Sequence, residues 1–323
     1  MGSEAALQIA VGKLNQVRQE IAKVIVGQQD VVDGVLICLL ASGHVLLEGV
    51  PGLGKTTLLR TLARALHLKY SRIQFTPDLM PADIVGSMII ETDDRGSKAL
   101  RFQPGPIFAN LVLADEINRA TPKTQSALLE AMQERTVTSG TTTHHLELPF
   151  LVMATQNPIE MEGTYPLPEA QLDRFLMEID VDYPDRDAER RILFETTGAE
   201  ETLAKAAMNA DLLITAQRLV RRLPVGDSVV EAILSLVRSA RPGPEGGEAG
   251  KLIAWGPGPR ASQSLMLAVR ARALLDGRLA PSIDDVLDLA EPVLKHRMAL
   301  TFSARAEGRT IPDVIRQLKT RIG

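Results

Sequence analysis

Cysteine is almost missing from this 323-residue chain. Cys38 is the only one, so no disulfide can form within it, which fits a reducing compartment. Its place in the apolar run Val35-Leu36-Ile37-Cys38-Leu39-Leu40-Ala41 reads as that of a small buried hydrophobe. Aromatic residues are scarce as well, at 3%. The core must therefore be built from Leu, Val, Ile and Ala, and there is little material for the platforms on which single-strand binders stack bases. An excess of positive charge is also lacking. The net charge is −4, whereas a duplex binder presents a basic face, so nucleic acid is a disfavoured partner. No apolar run reaches the ~18 residues that a bilayer-spanning helix needs. The opening Met1-Gly2-Ser3-Glu4-Ala5-Ala6 has an early acid and no cationic n-region, which argues against a signal peptide. Ala6 also stands where a myristoylation signal wants Ser or Thr. A cytoplasmic protein is expected.

What is present is ordinary globular material, with 45% hydrophobic and 24% charged residues and a length near two domains of roughly 150 residues. Leu7, Val11, Leu14, Val17, Ile21 and Val24 recur at helical spacing. A second, more uniformly apolar helix is expected to end at Ala41. Short apolar runs then read as buried strands: His44 to Leu47, Tyr70 to Phe75, Leu111 to Ala114, Phe150 to Ala154 and Glu178 to Val181. They alternate with helical segments, the pattern of a mostly parallel sheet covered by helices. Two stretches break the alternation. Ile84 to Phe102, turning at Asp93-Asp94-Arg95-Gly96-Ser97, and Arg135 to Leu148, turning at Ser139-Gly140, read as inserted β-hairpins. Beyond Asp211 the strand signals stop. Leu212–Leu223, Asp227–Ala240, Arg260–Leu275, Ile283–Lys295 and a shorter piece near the C-terminus read as helices, with a Pro/Gly-rich loop from Arg241 to Pro259. The expected division is an α/β nucleotide-binding core with its N-terminal helices over 1–200 and a smaller all-helical domain over 201–323.

The chemistry begins at Gly49-Val50-Pro51-Gly52-Leu53-Gly54-Lys55-Thr56, continued by Thr57, which matches G-x-x-x-x-G-K-[ST]. Glycines let the loop turn backbone N–H groups around phosphates. The helix that follows offers unpaired amides and a favourable dipole to an anion. Lys55 supplies a point charge, and the Thr56 hydroxyl suits Mg²⁺, which takes oxygen ligands. The glycine order is not that of a dinucleotide-binding loop, which excludes hydride transfer. Leu111 to Ala114 end in Asp115-Glu116, at the strand tip where α/β sheets bind ligands. Asp115 can hold Mg²⁺ directly or through water, and Glu116 can deprotonate an attacking water. Two further features carry less. His144 and His145 are adjacent on a strand and so point to opposite faces, reading as exposed strand residues. Arg218, Arg221 and Arg222 read as a solvated or subunit-facing helix edge.

With both motifs in place, the chain resembles the AAA+ ATPases, and within them the MoxR family, over roughly residues 20 to 320. The resembling segments include Val26-Gly27-Gln28, Leu47-Glu48-Gly49-Val50-Pro51-Gly52, Phe102-Gln103-Pro104-Gly105-Pro106, Ala114-Asp115-Glu116-Ile117-Asn118-Arg119-Ala120 and Ala154-Thr155-Gln156-Asn157-Pro158. Leu167-Pro168-Glu169-Ala170-Gln171-Leu172-Asp173-Arg174-Phe175 and Pro259-Arg260-Ala261-Ser262 complete the set. The resemblance implies an ATP- and Mg²⁺-dependent ATPase assembled as a ring, a hexamer, with chaperone-like action on partners that often carry a von Willebrand factor A domain. It implies that Val26, Gly27 and Gln28 line the adenine side, that Asn157 is the first sensor, and that Arg174 is an arginine finger reaching a neighbour's nucleotide. Arg260 would be the second sensor, serving its own subunit or a neighbour's. The hairpin insertions also mark magnesium-chelatase ATPase subunits and replicative helicases, so a chelatase-type subunit or a nucleic-acid motor is the rival expectation.

Overall fold

The computed structural model describes residues 3–92, 98–158, 163–197 and 202–322. Two helices, α1 (Ser3–Ala22) and α2 (Gln29–Leu40), precede the first strand, β1 (Val45–Glu48). Then come α3 (Lys55–Ala65), β2 (Tyr70–Gln74), a short α4 (Pro81–Val85), and the hairpin β3 (Gly86–Thr92) with β4 (Lys98–Pro104). After it follow β5 (Leu111–Asp115), α5 (Pro122–Glu134), the second hairpin β6 (Thr136–Ser139) with β7 (Thr142–His145), and β8 (Leu151–Gln156). A short α6 (Glu169–Leu172), β9 (Met177–Asp180) and α7 (Arg186–Thr196) close this half. Both hairpins pair antiparallel as expected; the turn expected at residues 93–97 lies outside the described residues.

Five strands form one sheet in the order β2-β5-β8-β1-β9, and every neighbouring pair is parallel. The central strands are apolar on both faces because helices cover both. Alternation then sorts their side chains. Val45, Leu47, Leu111, Leu113, Leu151 and Met153 enter one apolar cluster, with α1, α2 and α3. Leu46, Val112, Ala114, Val152 and Ala154 enter the other, with α5. Since all five strands run the same way, their C-terminal tips share one edge. That edge carries the phosphate loop after β1, Asp115-Glu116 at the end of β5 and Asn157 after β8.

The second half is helical, as expected: α8 (Ala210–Arg222), α9 (Asp227–Ser239), α10 (Gly247–Lys251), α11 (Pro259–Leu275), α12 (Ile283–Leu294), α13 (Phe302–Ala306) and α14 (Ile311–Lys319). It differs from the expectation in two details, the first being that α10 lies inside the stretch read as loop. Within the stretch read as loop, β10 (Ile253–Trp255) pairs antiparallel with β11 (Ala299–Leu300), two segments too short to leave a period-2 signature. The boundary expected at 200/201 lies outside the described residues. The first apolar cluster does not stop there. It runs from the sheet through α1 and α2 into α8, α9, α11 and α12 without a break, and ten of the twelve residues of α2 are buried. Among the described residues no helix is long and apolar enough to cross a membrane.

Candidate nucleotide site

A cleft of about 220 Å³ opens at the C-terminal edge of the sheet. Gly49, Pro51, Gly52, Leu53, Gly54, Lys55 and Thr56 form one wall; Asp115, Glu116, Thr155, Gln156 and Asn157 form another, with Arg72 and Gln74 at the side. Gly52 and Gly54 have φ of +87° and +76°, a backbone region that a Cβ would disfavour. Gly54 is the N-cap of α3, with no side-chain cap and no acid in the first turn. The helix therefore offers its first amides to a ligand instead of to its own side chains. The Lys55 ammonium donates to the Gly49 carbonyl at 2.5 Å, bridging the loop. Burial pushes its pKa below the usual lysine value, and the carboxylates of Asp115, Glu116 and Glu48 pull it back. Gln28 donates to the Leu53 carbonyl at 3.3 Å, which ties Val26-Gly27-Gln28 to the outer side of the loop. Val50, Thr57 and those three residues do not line the cleft itself.

The acidic pair is held from several directions. Thr155, at the end of β8, donates its hydroxyl to Asp115 Oδ1 at 2.7 Å and accepts the Glu116 backbone N–H at 2.8 Å. One side chain thus fixes both residues. Asp115 Oδ2 accepts from Arg72 Nη2 at 2.6 Å and Nε at 3.1 Å. Glu116 Oε2 accepts from Gln74 at 2.9 Å and from Arg119 at 3.0 Å. The Glu116 backbone is left-handed, φ 56° and ψ 51°. For a non-glycine residue that conformation costs on the order of 1 kcal/mol, and such outliers cluster at functional sites. Thr56 and Asp115 put hard oxygen donors into one cleft beside the phosphate loop, a set that fits Mg²⁺ and does not fit a soft metal.

Arg72, Gln74 and Thr155 were not singled out by the sequence reading. A lone threonine ending an otherwise apolar strand was the available signal for Thr155. Arg72 and Gln74 alternate on an edge strand whose mixed polarity looks like simple exposure. His145 is exposed as expected, but His144 is not a plain surface residue. It stacks on Phe102 at 3.9 Å between ring centroids and meets Phe108 edge-on, joining the two hairpins.

Arg174 and Arg260 are not at this cleft. They line a second one of about 140 Å³, together with Gly43, His44, Gln133, Asp173 and Arg297, and the two clefts share no residue. Arg174 donates to the Leu129 carbonyl at 2.7 Å. Arg260 is half exposed and lies 3.4 Å from Asp173. Asn157, in contrast, is buried at the phosphate cleft beside the acidic pair.

A phosphate loop at a bare helix N-terminus, an acidic pair on the adjacent strand tip and a helical second half define a P-loop nucleotide-binding protein of the AAA+ type. Comparison with known proteins agrees. The profile of the ATPase family associated with various cellular activities (AAA) matches residues 44–177, and that of the AAA lid domain matches 248–318. The chaperone MoxR1 of Mycobacterium tuberculosis is 43% identical over 316 residues, covering 97% of this chain and 82% of that protein. The protein MoxR of Methylorubrum extorquens is 35% identical over 321 residues, with 92% and 91% covered. A crystal structure of a Cytophaga hutchinsonii protein bearing a provisional ATPase designation superposes with a TM-score of 0.91 at 38% identity, covering 98% of this chain and 96% of that one. The chain belongs to the MoxR family of AAA+ ATPases.

Proposed function

We propose that this chain hydrolyses ATP, with Mg²⁺, as one subunit of a hexameric ring and uses the energy to remodel partner proteins. The observation that carries the reading is the separation of its arginines from its phosphate cleft. Phosphoryl transfer gains most from cations placed on the developing charge, and within one chain Arg174 and Arg260 line a different cleft. Both serve the nucleotide of an adjacent copy. In the assembled site, amides of Gly52 to Thr56 and Lys55 take the β- and γ-phosphates, and Val26 to Gln28 flank the adenine. Glu116 removes the proton from the attacking water as its oxygen bonds to the γ-phosphorus and the bond to the β-phosphate oxygen breaks. Asn157 orients that water. Thr56 and Asp115 would hold Mg²⁺, which would supply neutralisation of the phosphate charge.

Sedimentation and turnover measured against protein concentration test this. Nucleotide should drive assembly, and ATP turnover per chain should rise with concentration until rings are complete. A chain that stays monomeric at high concentration with ATP present, yet turns it over at full rate, overturns the reading. The partner class is proteins with a von Willebrand factor A domain. A Glu116→Gln variant, loaded with ATP and unable to hydrolyse it, should retain them on a column; recovery of nucleic acid in their place would favour the motor alternative.

A further inference from the structure

The turn that follows α12 reads Lys295-His296-Arg297; its side chains reach back across the molecule, His296 and Arg297 to the segment bearing Arg174 and Lys295 to the strand β9 just after it. Arg297 is 1% exposed. Its Nε donates to Asp173 Oδ1 at 2.7 Å. Its Nη1 donates to the Leu176 carbonyl at 3.2 Å and to the Val293 carbonyl. Its Nη2 donates to the carbonyls of Phe175 at 2.6 Å and Asp173 at 3.3 Å, and to Ser264 Oγ at 3.3 Å. All five guanidinium N–H groups are engaged. His296 is buried, and its Nε2 lies 3.2 Å from the same Phe175 carbonyl, so Nε2 carries the hydrogen and donates. Lys295 pairs with Asp180 at 2.5 Å and Glu178 at 3.4 Å on β9. Asp173 meets a second lid cation as well, Arg260 at 3.4 Å.

Arg174 is thus the link between two gripped neighbours. Asp173 and Phe175 are fixed, side chain or backbone, by groups from α11 and from the turn after α12. We propose that Lys295-His296-Arg297 is a clasp that sets the position of the Arg174 side chain from the lid, with Arg297 as its main positioning residue. A buried guanidinium is costly to desolvate, and an apolar side chain would fill the same volume at less cost. What the guanidinium adds is a rigid five-donor fork spanning Asp173, Phe175, Leu176, Val293 and Ser264. A lid displacement therefore moves the finger segment with it. The inference rests on the reading that Arg174 acts on a neighbour's nucleotide, and its test separates the two.

Arg297→Lys keeps the charge and loses the fork. In the full-length protein its ATP affinity should stay within about twofold of wild type, while turnover falls about 10- to 100-fold, the size expected for a catalytic group displaced by an ångström. Mixing Arg297→Lys with Glu116→Gln chains should restore part of the turnover, because the second lends sound fingers to the intact glutamates of the first. A merely structural defect would not be repaired by a neighbour. The control pair Arg174→Ala with Glu116→Gln tests the underlying reading alone. If that pair stays inactive, action in trans falls, and the clasp with it. If the control pair recovers but the Arg297→Lys pair does not, only the clasp is overturned. It is equally overturned if Arg297→Lys turns over at the wild-type rate or loses ATP affinity more than about tenfold. Should Arg297→Lys fail to fold, Asp173→Ala, which removes the Nε acceptor and so cuts the same tie from the other side, carries the mixing test with the same outcomes.

Discussion

Thr155 is the residue on which the geometry of the acidic pair turns. Its hydroxyl gives one bond to Asp115 and takes one from the Glu116 backbone, in a buried position. Thr155→Val keeps the shape and leaves the Glu116 N–H without its acceptor. An unmatched buried donor costs about 1–3 kcal/mol. Felt by the two carboxylates to which the proposed mechanism assigns the metal and the water, this should lower ATP turnover about tenfold or more while nucleotide affinity changes little. Steady-state kinetics beside a nucleotide titration checks it, and a wild-type turnover number refutes it. The meeting of Lys55, Asp115 and Glu116 at one cleft was legible in the sequence because all three fall in motifs of fixed spacing along the chain. Thr155, Arg72, Gln74 and Arg297 were not, because their partners are 40, 43, 42 and 124 positions away, and only the folded sheet brings them together.

Among the elements, the neighbours β1 and β9 hold a charge arrangement with a definite pH signature. Burial pushes the Glu178 carboxyl up from 4.5 to about 7; the nearby Lys295 ammonium opposes this, and Glu48 and Asp180 add to it. Between those two pH values the folded chain binds a proton that the unfolded chain has lost, so this group makes stability fall as pH rises. His44 acts in the opposite sense. Its Nδ1 accepts from the Val152 N–H at 3.0 Å and its Nε2 faces the Met132 carbonyl at 3.1 Å. Burial pushes its pKa down from 6.5 to about 4. The unfolded chain binds the extra proton there, and stability falls as pH drops. Glu178→Gln removes only the first slope. Denaturant midpoints at pH 7.5 and pH 5 should show the variant losing more stability on acidification than wild type, by on the order of 1–3 kcal/mol. An unchanged difference refutes the assignment. The strands and hairpins themselves were readable because strand alternation and turn residues are local signals. The two-residue β11 and the helical turn inside the Arg241–Pro259 stretch were not, since tertiary pairing makes them.

For the whole molecule the instructive feature is the first helix. Leu14, Val17 and Ile21 of α1 are fully buried, and α1 touches α3 of the first half and α8 and α11 of the second. Arg18 adds an ion pair to Asp33 of α2 at 2.5 Å and one to Asp276 after α11 at 3.4 Å. Leu14→Ala should therefore cost about 2–5 kcal/mol and lower the unfolding midpoint of the chain as a unit, with core and lid probes moving together. Separate transitions would contradict the continuous apolar cluster. The amphipathic spacing of α1 was plain in the sequence; what it would lie against was not, because one stripe fits any apolar partner.

The same seating carries a practical warning. A shortened protein cut to begin at residue 44, where the recognisable ATPase segment starts, would retain the whole phosphate loop and the acidic pair. It would also lose a grease-covered helix that packs on elements of both halves, and such a fragment should clump in the test tube before its chemistry could be assayed.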